Sequence, residues 1–256
     1  MYLEPTPNSC SQPGCYASPT GQCAEGISKE HYISHGILKT IAVGGPIQVS
    51  GLPWVIDDTV TLYPSNLWSK ILCNRHNKVL KGLDTVANRF FHQLFTIPKQ
   101  FNDFGPDSVF LVNGADLELW FLKLLCGLCA VYRPHDQDHW EAPSEWLSIL
   151  FRQKTFDYNA GQGLHCGAWI GHQNNVGNYT QITFYHRESD NSIAGIQANM
   201  GGVSFFLSLQ KMMRAERSLL HPNILTFSRS GSKRKIHLAL GWVNFPSGKT
   251  LTIEYQ

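Results

Sequence analysis

Leu72-Cys73-Asn74-Arg75-His76-Asn77-Lys78 joins a pair of soft metal ligands to the start of a helix. Cys73 and His76 have the spacing of two ligands that reach one metal ion from the start of a helix. After them Val79, Leu80, Leu83, Val86, Ala87, Phe90, Phe91, Leu94 and Phe95 recur at three and four residues. That is the period of an amphipathic helix, and Pro98 closes the run. Zinc favours four tetrahedral ligands in two close pairs. Working back along the chain, the second pair is Cys10 and Cys15, with Pro13-Gly14 between them to fold the chain tightly round a metal. Cys23 competes for any of these places. Residues 1–27 are rich in Pro, Gly, Ser and Cys. Such a stretch cannot build its own core and needs a metal staple.

Glu30-His31 lies between the two half-sites. Histidine is suited to taking a proton from water near neutral pH. The neighbouring carboxylate can point the other way and hold a divalent cation, which stabilises charge on a phosphate and on its leaving oxygen. Asn77 offers a neutral oxygen to the same cation. Mg²⁺ accepts such sparse ligation because it keeps most of its waters. His35 would face the same site if residues 31–38 are helical; its other reading is a solvent-facing or core-edge histidine.

Taken in order, Cys10-x4-Cys15, Lys29-Glu30-His31-Tyr32-Ile33-Ser34, Asn66-Leu67 and Leu72-Cys73-x2-His76-Asn77 resemble the zinc-containing HNH endonucleases with a ββα-metal, treble-clef-like core. The resemblance covers about residues 10–90. It implies that His31 is the general base and that Glu30 and Asn77 bind the catalytic Mg²⁺ or Mn²⁺. It further implies that Asn66 orients the loop and the base, and that Cys10, Cys15, Cys73 and His76 hold a structural Zn²⁺. This chain departs from the pattern in three places: glutamate stands where aspartate is usual, the first cysteine pair is wider than Cys-x2-Cys, and the gap from His31 to Asn66 is long. Asn74 and Asn88 are the alternatives for the middle position.

Lys70, Arg75, Lys78, Lys81 and Arg89 crowd the second half of the motif. They can contact DNA phosphates beside the cleavage centre or form a solvated basic face. A second basic set is Lys211, Arg214 and Arg217, followed by Arg229 and Lys233-Arg234-Lys235, where Ser230 to Lys235 reads as a hairpin tip.

The chain has 256 residues, 43 % of them apolar and 16 % charged, with a net charge of +2. That balance describes a globular protein of one large or two small domains. It does not by itself predict a nucleic-acid binder, so local patches must do the work. No apolar run spans a bilayer, and the longest, Leu117 to Tyr132, is interrupted by Glu118 and Lys123. Met1 to Ser9 has neither a basic start nor an apolar core, so it does not read as a secretory signal. With seven cysteines and no signal, metal ligation is expected rather than disulfides, and a cytoplasmic location follows.

Outside the motif, Ile33, Ile37, Leu38 and Ile41 predict a short helix after Ser34, ended by Gly44-Gly45-Pro46, and residues 46–64 read as a β-rich insert. The turn-like stretch Asn102 to Asp107 places a boundary near residue 100. Val109 to Val112 is a short strand. Asn113, with Asp116 three positions on, caps a buried helix over about 115–132, and another helix lies near 143–153. Cys126 and Cys129 lie inside the first of these as small core residues. His135 to His139 reads as a polar loop, and Gly201-Gly202 as a turn. Beyond Gly163 the candidate strands are 164–171, 180–186, 192–198, 203–209, 224–228, 236–243 and 251–255. They predict an antiparallel sheet packed on the 115–132 helix.

The expectation is therefore an α+β protein. Residues 1–100 form the zinc-stapled HNH module. Residues 101–256 form an α+β domain for regulation, sensing or target recognition, open to a regulatory ligand or protein. The expected activity is metal-dependent hydrolysis of DNA phosphodiester bonds, as in a restriction or anti-phage system, and cutting both strands calls for a homodimer. The rival reading is a catalytically inactive, zinc-stabilised module that binds DNA or protein.

Overall fold

The computed structural model describes residues 10–24, 26–51, 59–101, 105–132, 139–169, 180–187, 189–210, 218–243 and 248–255. The protein is of mixed α+β class. It divides into two compact units, Met1–Asn88 with Leu122–Thr155, and Arg89–Phe121 with Phe156–Gln256. The chain crosses between the units three times, twice inside helices, at residues 88/89 and 121/122, and once in a connection, at 155/156.

In the first unit, β1 (Ile27–Glu30) is followed by α1 (His35–Ala42) and by the small antiparallel pair β2 (Ile47–Val49) and β3 (Val60–Leu62). The chain then returns as β4 (Ser69–Cys73), antiparallel to β1, and runs directly into α2 (Asn74–Gln100). Ile27 faces Cys73 and Ser28 faces Leu72, with an irregularity before Glu30 faces Ser69. Strand, strand and helix thus stand in ββα order.

The apolar period of α2 buries Leu80, Leu83 and Ala87 in this unit, and Phe90, Phe91 and Leu94 in the other. Pro98 does not close the helix, which runs on to Gln100. Proline inside a helix removes one hydrogen bond and crowds the carbonyl four residues back, and here only two residues of the helix follow it.

After β5 (Ser108–Asn113), α3 (Gly114–Val131) carries the chain from the second unit back to the first. Gly127 lets α3 come close there: a Cβ at this position would sit 3.3 Å from the Tyr32 Cβ. The short helix α4 (Ser144–Leu150) adds Leu147, Ile149 and Leu150 to the core. Just before it, the Ala142 N–H donates to the Tyr16 carbonyl at 2.8 Å.

In the second unit β6 (Gly163–Ala168), β7 (Thr180–His186), β8 (Ile193–Met200), β9 (Val203–Ser208) and β10 (Ser218–Leu220) form an antiparallel sheet of order β10-β6-β9-β8-β7. β11 (Ile224–Arg229), β12 (Ile236–Gly241) and β13 (Thr250–Tyr255) build a second sheet with β5, in the order β13-β11-β12-β5. There β13 runs parallel to β11, and β5 parallel to β12. The single antiparallel sheet expected from the sequence is thus two sheets, one of them mixed. Alternating side chains define a strand's faces but not its neighbour, so the long-range parallel joins left no mark in the pattern.

Gly201 and Gly202, at φ 57° and 79°, make the two-residue β8–β9 turn. Both central residues of such a turn need positive φ, and a Cβ on Gly201 would strike Leu94 at 2.7 Å. The core of this unit is aromatic: Phe205 lies 5.6 Å from Phe90 and 5.3 Å from Phe121 between ring centroids. Lys211, Arg214 and Arg217 and the 135–138 loop lie outside the described residues. Arg234, in the basic β11–β12 connection, is turned inward: it donates to the Gln100 carbonyl at 2.7 Å and to the Ser108 hydroxyl at 2.9 Å. Among the described residues no helix is long and apolar enough to cross a membrane.

Candidate metal centre and acid–histidine site

Cys15, Cys23, Cys73 and His76 converge in the first unit, all four buried, with their ligand atoms within 4.8 Å of one another. A tetrahedral ion with arms of about 2.3 Å needs sulfurs about 3.8 Å apart, so a metal ion fits with a small contraction. The His76 Nδ1 lies 3.1 Å from the Cys73 Sγ, 3.5 Å from the Cys15 Sγ and 3.8 Å from the Cys23 Sγ.

Thr20 decides which way that ring faces. Its hydroxyl donates to the Ala17 carbonyl at 2.8 Å, so its oxygen is left to accept from the His76 Nε2–H at 2.9 Å. The proton is thereby fixed on Nε2, and the Nδ1 lone pair points at the three sulfurs. An outer partner of this kind is what orients a ligating histidine. The hydrogen bond from Cys15, with the His76 backbone N–H donating to the same sulfur at 3.5 Å, lowers the Cys73 thiol well below its usual value. The same bond pushes Cys15 up, and burial pushes Cys23 up. The cluster is therefore ready to hold one thiolate, and a bound cation would draw off the remaining protons.

Cys10 is exposed and stands outside this cluster; Cys23 takes the place expected for it. The backbone explains the exchange. Cys10 accepts from the Cys23 N–H at 2.9 Å and donates to the Gly21 carbonyl at 2.8 Å. It positions the ligand instead of being one.

Glu30, at the end of β1, is buried, and its Oε1 lies 2.5 Å from the Lys123 Nζ. The same ammonium is 2.5 Å from the Asp84 Oδ2. The Ser34 hydroxyl donates to the other Asp84 oxygen. Burial pushes the Glu30 carboxyl up, against the pull of Lys123 and a hydrogen bond from Asn77. Burial alone would lower Lys123, but Asp84 and Glu30 outweigh it and raise the ammonium above its usual value. The Asn77 amide also donates to the Ser28 hydroxyl at 3.0 Å, which in turn donates to the Leu72 carbonyl across β1 and β4 at 2.9 Å.

His31 stacks on His35 with ring centroids 4.6 Å apart and planes 6° from parallel. Burial first, then His35, lowers His31, with Asp84 opposing. Its Nε2 is buried and has no hydrogen-bond partner. His35 is half-buried at the start of α1, beside His31 as its spacing allowed.

The other expected residues fall around this centre less tightly. Asn66 is exposed in a 3-10 turn (Pro64–Asn66), where its Oδ1 accepts from the Ser65 hydroxyl at 3.4 Å. It makes no described hydrogen bond with His31. Asn88, one of its alternatives, has a buried Oδ1 without a partner and packs on Gly36 of α1, where a Cβ would meet its amide at 2.6 Å. Lys70, Lys78 and Lys81 are exposed and Arg75 is half-buried.

Asp84, Lys123, Ser34 and Thr20 were not among the sequence candidates. Asp84 had a signal, since it follows Asn77 by two helical turns and so shares its face. Lys123 had a stronger one: a lysine inside an apolar helix is buried only with a partner. No protein-family model, no curated protein and no solved structure matches this chain.

Proposed function

We propose that the first unit is a zinc-stapled nuclease module that hydrolyses DNA phosphodiester bonds with the help of a divalent cation. One observation carries the reading. The Cys15–Cys23–Cys73–His76 cluster ties the loop before β1 to the junction of β4 and α2, and Glu30 at the end of β1, next to His31, takes a hydrogen bond from Asn77 in the first turn of α2. Three sulfurs and one nitrogen in a closed tetrahedral set are the donor chemistry of structural zinc.

The residues for a catalytic cation also fit in kind. Glu30 and Asp84 outweigh Lys123 by one negative charge, and Asn77 adds a neutral amide. Glu30 and Asn77 would hold the cation. Mg²⁺ or Mn²⁺ there would stabilise charge on the phosphate and the leaving oxygen. His31 is the base: its lowered proton affinity keeps the ring neutral at pH 7, and its unpartnered Nε2 can take a proton from water. Lys70, Lys78 and Lys81 lie exposed near the same element and suit phosphate contacts that set the position of DNA without reading sequence. The second unit then serves to sense or to select the target.

The test is plasmid cleavage by the purified protein with Mg²⁺ or Mn²⁺, beside His31→Ala, with zinc measured in both. The expected result is metal-dependent nicking, about one zinc in each protein, and a loss of at least about 10²-fold in the variant. Undiminished cleavage by His31→Ala would remove the assigned base. A second reading, a zinc-stabilised module that binds DNA or protein without cutting, draws on the ammonium already lying 2.5 Å from the Glu30 carboxylate. Zinc-loaded protein that never cuts would favour it.

A further inference from the structure

We propose that Lys123 is a built-in cation that blocks the acid–histidine site, so that a divalent ion enters only when the ammonium is displaced. The inference rests on the nuclease reading for its purpose, but not for its test. Lys123 comes from α3, remote in sequence from the motif, and is buried. Its Nζ stands 2.5 Å from one oxygen of Glu30 and 2.5 Å from one oxygen of Asp84. The remaining bonds hold those carboxylates where they are, Ser34 on Asp84 and Asn77 on Glu30. The point at which the two negative charges converge is therefore filled by the ammonium.

A hard dication seeks the same oxygens. With Lys123 in place, adding it turns a net charge of −1 into +1 in a buried site. Without the ammonium, the same ion would neutralise the pair. A buried ammonium that loses both carboxylates is costly unless another anion receives it. The phosphate of a bound DNA strand is such an anion, and the flexible four-carbon stem of lysine lets the head group move to it. Cation and DNA would then enter together, and the centre stays closed while no strand is present.

The experiment is Mn²⁺ binding followed by electron paramagnetic resonance, on the zinc-loaded full chain without any cleavage assay. The proteins are wild type, Lys123→Arg, Lys123→Gln, and Lys123→Gln combined with Glu30→Gln. Melting temperature and zinc content are read on each. Wild type and Lys123→Arg should bind Mn²⁺ weakly. Lys123→Gln should bind at least about tenfold more tightly, a gain of about 1.4 kcal/mol, and the double variant should lose that gain. Folded Lys123→Gln that binds no better than wild type overturns the proposal.

Should Lys123→Gln not fold, the wild type decides. Weak Mn²⁺ binding that tightens with a short duplex, and does not do so in Glu30→Gln, supports the block. Tight binding without DNA, abolished by Glu30→Gln, overturns it, and so does weak binding that DNA leaves unchanged. A protein that never cuts DNA but gains Mn²⁺ affinity on loss of Lys123 would lose the nuclease reading and keep this one.

Discussion

Thr20 adds no atom to the Cys15–Cys23–Cys73–His76 cluster, yet it sets which nitrogen of His76 faces the sulfurs. Its hydroxyl proton is committed to Ala17, so the oxygen can only accept from Nε2–H. Thr20→Val keeps the shape of the side chain and removes that acceptor. Zinc affinity should fall by about 10- to 100-fold, the usual cost of losing an outer partner, as read by competition with a chromophoric chelator. Cys10→Ser belongs beside it: zinc content should stay at the wild-type level, whereas Cys23→Ser should lose the metal. If Cys10→Ser empties the site instead, the exposed cysteine is a ligand in the place given to Cys23. The residue types of the centre were legible from spacing alone. The choice between Cys10 and Cys23 was not, because it depends on a backbone ladder that spacing does not report.

At the scale of elements, α3 shows what the sequence could and could not disclose. Its start is written locally: the Asn113 Oδ1 accepts from the Asp116 N–H at 3.1 Å, and its amide returns a bond to the Asp116 carboxylate at 2.8 Å. Asn113→Ala should cost about 1 kcal/mol. In urea the midpoint should drop while the slope stays the same, since the cap contributes little to the exposed surface; no change in midpoint would mean that packing alone fixes the helix start. The helix itself was legible because the cap opens a run that is apolar around most of its circumference, and residues 117–130 are buried throughout.

The two charges that interrupt α3 were visible, but their partners were not. Lys123 reaches Glu30 and Asp84 in the first unit. Glu118, five residues earlier and so about 140° round the helix, accepts from the His221 Nε2 and the Leu164 N–H in the second, each at 2.7 Å. Partners that come from distant strands leave no periodic trace. The same limit hid the division of the C-terminal strands into two sheets.

For the whole molecule, the acid limb of stability follows from its buried histidines. His165 is buried in β6, where its Nε2–H donates to the Gly161 carbonyl at 2.9 Å. Burial holds its proton affinity below the usual value of 6.5; His221 reinforces the effect, and the Gly161 bond and Glu118 oppose it. Above about pH 6.5 neither the folded nor the unfolded chain protonates this ring, so it adds no pH dependence. Below that value the unfolded chain takes up the proton first. Stability therefore falls as pH drops through the unfolded pKa towards the folded one, by up to about 1.4 kcal/mol per pH unit for a single proton. His31 and His35, also lowered by burial, act in the same direction in the first unit. His165→Gln keeps an N–H for Gly161 and cannot take the proton. Urea unfolding of wild type and variant between pH 8 and pH 5 should give curves that run together above about pH 6.5 and separate below it, with the wild type the steeper. Curves that stay parallel throughout would assign the acid loss to His31, His35 or the thiolates of the metal centre rather than to β6.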